Sequence, residues 1–172
     1  MLDKHSEKRE KKDYLIAILC VIFAISLAVL MTAIFMPDKL LNKKAEFIPP
    51  AFEGQAMIGI PDVSEEYGYT QLYRDGMAYS VYICGVPHVD GINLNVYFTN
   101  TEQNDCYLKL RVIDENDNIL GETGLLKPGE YVEAVKLKKK LEKGTSVKLK
   151  VMSYDTETYE SLGAVVLNVT VS

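Results

Sequence analysis

Few residues in this chain could carry chemistry. Histidine occurs twice, at His5 and at His88 in the stretch VPHVDG. A zinc site draws three or four ligands from His, Cys, Asp and Glu, and His88 with Asp90 falls short, so no metal site is expected. A serine or cysteine nucleophile needs an activating base within hydrogen-bond reach, which scarce histidine argues against. Neither a G-x-S-x-G elbow nor an S-x-x-K motif occurs. The stretch DENDNILGETGL, Asp114 to Leu125, offers oxygens at Asp114, Asn116 and Asn118. A calcium loop needs Gly at its sixth position and Glu at its twelfth, where this chain has Ile119 and Leu125. A polar hairpin turn is the expectation there. No catalytic residue, no enzymatic activity and no cofactor are expected.

The remaining candidates are binding groups. Eleven tyrosines and no tryptophan are present, with Tyr67, Tyr69, Tyr73, Tyr79 and Tyr82 crowded together. Tyrosine offers a flat apolar body with a polar tip, suited to protein or sugar contacts, and it equally suits a half-buried strand. Seven lysines fall between Lys136 and Lys150 against one acid, Glu142. Lys136 and Lys138 flank Leu137, and Lys148 and Lys150 flank Leu149, so the period that buries the leucines turns these lysines to solvent. Contact with an anionic partner is the alternative for Lys136, Lys138, Lys148 and Lys150. Cys84 and Cys106 could pair outside the cell, provided their Cα atoms come within about 7 Å; two free buried thiols are the other reading. Asn168-Val169-Thr170 forms a sequon inside an expected strand, where it reads as coincidence.

These groups must be positioned by a chain of 172 residues, enough for one domain and an appendage. The appendage is the uncharged run YLIAILCVIFAISLAVLMTAIFM, residues 14–36. As a helix rising 1.5 Å per residue it would be about 34 Å long, against a hydrocarbon core of about 30 Å. A cleaved signal peptide has a shorter apolar region and a small-x-small cleavage site, which MTAIFMP lacks, and no lipobox precedes Cys20. Before the run stand Lys4, Lys8, Arg9, Lys11 and Lys12; after it, Lys39, Lys43 and Lys44. Five cations against three orient the amino terminus to the cytoplasm. The expected organisation is a cytoplasmic tail over 1–13, a transmembrane helix over 14–36, an extracytoplasmic stalk over 37–54 marked by Pro49-Pro50, and a folded domain over 55–172.

Residues 1–13 carry five cations and four acids, +1, which leaves −6 of the total −5 for the rest. Nucleic acid is therefore not expected as a partner, because phosphate binding needs a basic surface.

Past residue 55 the hydrophobic period is two. INLNVYFTN, YLKLRVID and VKLKVMSY each alternate apolar with polar residues. Turn signals at Arg74-Asp75-Gly76, Asp90-Gly91, Asn100–Asp105, Asp114–Asn118, Pro128-Gly129 and Lys143-Gly144 separate them. The reading is all-β, an antiparallel immunoglobulin-like sandwich of about seven strands at 78–85, 91–99, 106–113, 118–124, 131–138, 145–154 and 163–171, with an extra edge strand near 55–60.

From Asn104-Asp105-Cys106-Tyr107, through Pro128-Gly129 and the segment Leu137, Leu141, Gly144, to the closing VVLNVTV, the chain resembles a group of small single-span surface proteins of Gram-positive bacteria. Thr145 stands where that pattern has an aromatic residue. The resemblance implies an immunoglobulin-like or fibronectin-like ectodomain at the cell surface and no chemistry. Together these readings point to a membrane-anchored, non-catalytic binding or assembly module for a protein partner at the cell envelope. A carbohydrate or wall-polymer binding module is the alternative.

Overall fold

The computed structural model describes residues 3–35, 47–72 and 76–172. It forms two compact units, 1–48 and 49–172. Residues 37–46 of the stalk expected over 37–54, and Tyr73, lie outside the described residues.

The first unit holds one helix, α1 (Asp3–Phe35). Its segment Tyr14–Thr32 is long and apolar enough to cross a membrane, with a mean hydropathy of 2.9. The hydroxyls of Ser26 and Thr32 donate to the carbonyls of Phe23 and Val29, each at 2.8 Å. These two hydroxyls are thus satisfied within the helix, as an apolar surrounding would require.

The second unit is built of strands in two antiparallel sheets. In chain order they are β1 (Met57–Ile58), β2 (Tyr69–Leu72), β3 (Val81–Cys84), β4 (His88–Asp90), β5 (Asn93–Asn100), β6 (Cys106–Ile113), β7 (Ile119–Glu122), β8 (Glu130–Lys136), β9 (Ser146–Asp155) and β10 (Ser161–Thr170). One sheet runs β1-β8-β5-β3-β2 with β4 also on β5; the other runs β10-β9-β6-β7. Each of the seven expected strands has a counterpart. The expected edge strand near 55–60 is β1, and the described residues hold ten strands in all because β2 and β4, of four and three residues, are too short to show a period.

Alternation decides what is buried. In β6 and β9, Leu108, Leu110, Val112, Leu149 and Val151 are fully buried, and in β3 and β5 so are Val81, Leu94, Val96 and Phe98. All join one core drawn from both sheets. Burying such a side chain contributes about 1.5–3 kcal/mol.

Several polar links join the sheets, one of them the Lys138 N–H donating to the Leu120 carbonyl at 2.7 Å, and two more lie at Asn100 and Ser172. Asn100, at the end of β5 and 0% exposed, donates its amide to the carbonyls of Cys106 and Leu126, both at 2.9 Å. At the other link, the Ser172 N–H donates to the Pro87 carbonyl while its own carbonyl accepts from Val89. Asn104 adds a brace: its amide accepts from the Ser80 N–H at 2.7 Å and donates to the Ser80 carbonyl and to Asn100 Oδ1, both at 2.6 Å.

Residues 49–54, expected as the end of a stalk, belong to the domain. The Ala51 carbonyl accepts from Leu125 N–H, and the Glu53 N–H donates to the Leu125 carbonyl, each at 2.9 Å. Phe52 stands edge-on to Tyr107 at 5.1 Å and lies under the Lys127 ammonium. Gly124 permits this approach, since a Cβ there would meet the Glu53 nitrogen at 2.5 Å.

Candidate functional site

The site is the outward face of the first sheet. With Val81 and Ile83 turned to the core, alternation turns Tyr82 and Cys84 the other way. Strand register then brings other tyrosines beside them. Tyr69 faces Cys84 across β2–β3, Tyr82 faces Thr99 across β3–β5, and Thr99 faces Tyr131 across β5–β8. The Tyr69 and Tyr82 rings lie 5.6 Å apart, tilted by 34°. The Tyr69 hydroxyl shares a 2.7 Å hydrogen bond with Thr99 Oγ1. Burial raises the Tyr69 hydroxyl above its ordinary pKa, with the Thr99 bond pulling the other way.

Tyr97 reaches this face by the unbroken alternation of β5, at a bulge in its pairing with β8. Between the pairs Asn95↔Ala134 and Phe98↔Val132, two β5 residues, Val96 and Tyr97, stand against the single Glu133. Tyr97 takes a φ of 44°, a left-handed backbone costly for a bulky residue. Burial first, and then Tyr67 and Glu133 nearby, raise its hydroxyl pKa.

β1 and β2 lie at opposite edges of the sheet, so the segment joining them, 59–68, crosses this face as a strap. Its Tyr67 ring meets Tyr97 edge-on at 5.3 Å and stacks on His88 at 4.2 Å. Beneath the cluster Cys84 is 0% exposed although it points outward, and burial pushes its thiol up to about 12. Where the strap begins, a cleft of about 310 Å³ remains, walled by Ile60, Tyr69, Tyr82, Thr99, Glu102 and Gly129.

Of the tyrosines singled out in the sequence, Tyr67, Tyr69 and Tyr82 come together here. Tyr79 does not; it packs against the core and lines a groove beside β10 with Leu162 and Val165. Tyr97, Tyr131 and Ile60 were missed. The readable signal for the bulge was the spacing of Val132 and Val135, both buried though three residues apart, which an uninterrupted strand does not allow.

The cysteines do not meet. Both are free buried thiols, Cys84 in the first sheet and Cys106 in the second. Cys84 turns to the outward face of its sheet, whereas Cys106 joins the core between the sheets, so the two side chains do not face one another as a disulfide requires.

The lysines are divided between the sheets. Lys136 ends β8 and, like Lys138, is exposed around the buried Leu137. Lys148 and Lys150 sit half-buried on β9, and Lys148 holds Asp117 at 2.8 Å. Asp114 acts in its own turn, its carboxylate accepting from the backbone of Asn116 and Asn118 and from the Asn118 amide. Asn168 is exposed on β10.

What this arrangement offers is an aromatic face with a shallow concavity, suited to recognition. No protein-family model matches the chain, and neither does any curated protein.

Proposed function

We propose that the chain is a single-pass membrane protein, amino terminus in the cytoplasm, that displays an immunoglobulin-like β-sandwich as a non-catalytic binding or assembly module for a protein partner at the cell envelope. The apolar helix supports the anchor, and the two sheets around one core support the sandwich. The observation that carries the binding role is the convergence of Tyr67, Tyr69, Tyr82, Tyr97 and Tyr131 on one face, with Tyr97 held in a strained backbone. Interface hot spots are enriched in tyrosine, and backbone strain gathers at functional positions.

A photo-crosslinking amino acid in place of Tyr67, in intact cells, tests this. A discrete protein adduct that weakens in a Tyr97→Ser background is the expected result. Adducts that vanish on polysaccharide digestion would replace this reading by the second one, a carbohydrate or wall-polymer module. That second reading is favoured by the paired Tyr69 and Tyr82 rings, broad enough to receive a sugar ring.

A further inference from the structure

We infer that the cleft beside the strap receives a segment of the partner protein in which an apolar side chain stands next to a cation; the assignment rests on the protein-partner reading above. Four observations carry it.

At about 310 Å³ the cleft lies at the bottom of the range for small-molecule sites, which suits one side chain better than an extended ligand. Its mouth is apolar. Ile60, in its wall, is 84% exposed and Ile58, two residues earlier, 87%. Isolated exposed isoleucines need no explanation, but Ile60 borders a concave tyrosine floor, the arrangement of an interface anchor pocket.

Several polar groups of the wall, those of Tyr69, Thr99 and Asn100, are already bonded. The Tyr69 hydroxyl is bonded to Thr99, and the Asn100 amide to two carbonyls and Asn104. Among the described residues no buried side-chain polar atom lacks a partner. A sugar's hydroxyls would have Tyr82, Glu102 and Gln103 to meet but no free partner among the bonded groups, and unpaired buried hydroxyls are costly; an apolar side chain needs none.

Charge supplies the neighbour. Glu102 lies in the wall and no wall residue is a cation. Across residues 49–108 there is one cation, Arg74, against eight acids: Glu53, Asp62, Glu65, Glu66, Asp75, Asp90, Glu102 and Asp105. An anionic polymer or lipid phosphate would be repelled, whereas a lysine or arginine beside the inserted side chain would be drawn in.

The test uses the full chain in neutral-lipid nanodiscs and three capped heptapeptides: Gly-Gly-Lys-Phe-Lys-Gly-Gly, the same with Gly for Phe, and the same with Glu for both Lys. Binding is read from the isoleucine methyl signals by NMR. The first peptide should bind, with the Gly peptide at least tenfold weaker and the Glu peptide at least threefold weaker. Ile60→Ser should weaken the first peptide at least fivefold. Glu102→Gln should weaken it about twofold and flatten its salt dependence. Both side chains are exposed, so melting temperatures should not move. Equal binding of the Phe and Gly peptides, unchanged binding to both variants, or no binding at millimolar peptide would overturn the assignment. So would N-acetylglucosamine oligomers shifting these signals where the peptides do not. If the Tyr67 crosslink captures a protein and these variants leave capture unchanged, the binding-module reading stands and only the cleft assignment falls.

Discussion

Replacing Asn100 should damage this fold more than replacing any exposed residue, and in a manner that identifies the cause. Its side chain is fully buried; it donates to the Cys106 and Leu126 carbonyls at 2.9 Å and accepts from Asn104 at 2.6 Å. Asn100→Ala removes all three bonds at roughly 1 kcal/mol each. Part of the cost is cushioned, because the Leu126 carbonyl keeps the Leu108 N–H and the Asn104 amide keeps the Ser80 carbonyl. A loss of about 3 kcal/mol follows, or roughly 10 °C in melting temperature for a domain of this size. Asn100→Asp is nearly isosteric yet should be worse at neutral pH, since an ionised carboxylate cannot donate and would face two carbonyl oxygens without a counter-charge. Burial would raise that carboxyl's pKa above the ordinary value near 4. The folded state would then hold a proton the unfolded state has released, so stability should fall as pH rises from about 4 and recover on acidification. Urea unfolding of the full chain in detergent, followed by tyrosine emission in the absence of tryptophan, measures both. A melting shift under about 2 °C for the Ala variant, or an Asp variant no worse than Ala at pH 7, would refute the idea that this side chain fastens the sheets.

Three further outcomes are expected. Leu110→Ala and Leu149→Ala, each at a fully buried position, should cost about 2–5 kcal/mol in the same unfolding assay. Gly124→Ala should displace the 51–53 segment, because the new Cβ would meet its backbone at 2.5–2.7 Å; faster proteolysis there, with the sheets still folded, is the readout. Alkaline conditions should destabilise the domain between about pH 9 and 12. Burial holds the Cys84 and Cys106 thiols up to about 12 and 11, so the unfolded chain loses these protons first, and stability falls with a slope of about 1.4 kcal/mol per pH unit for each thiol. Cys84→Ala should make that slope shallower, and an unchanged slope would mean the thiol is not buried in solution.

Strands with a long alternating run were legible because period two and burial are the same fact seen twice: Leu108, Leu110 and Val112 had to share a face. The short strands were not. In Tyr69–Leu72 and His88–Asp90 nothing distinguishes a strand residue from a loop residue, since their place is set by β3 and β5 rather than by their own pattern. Asn100 was hidden for a different reason. It opens the polar run NTEQND, where asparagine reads as a turn former, and only the approach of the second sheet makes it a buried bridge. Asn104 in the same run looked like a landmark of resemblance, and its reason is now physical: it braces the start of β3 against the end of β5.

The tyrosine face was half legible for the same reason. Tyr67, Tyr69 and Tyr82 are near neighbours in sequence, while Tyr97 and Tyr131 come from strands that only register brings alongside. The bulge at Tyr97 needs both strands to be seen at once. β5 keeps its period through the bulge, with Val96 and Phe98 in the core and Tyr97 on the outward face with Tyr67, while the period of β8 breaks between Val132 and Val135. The bulge thus absorbs the mismatch between the two strands, and the strain falls on Tyr97, whose backbone turns left-handed so that both strands keep their apolar residues in the core.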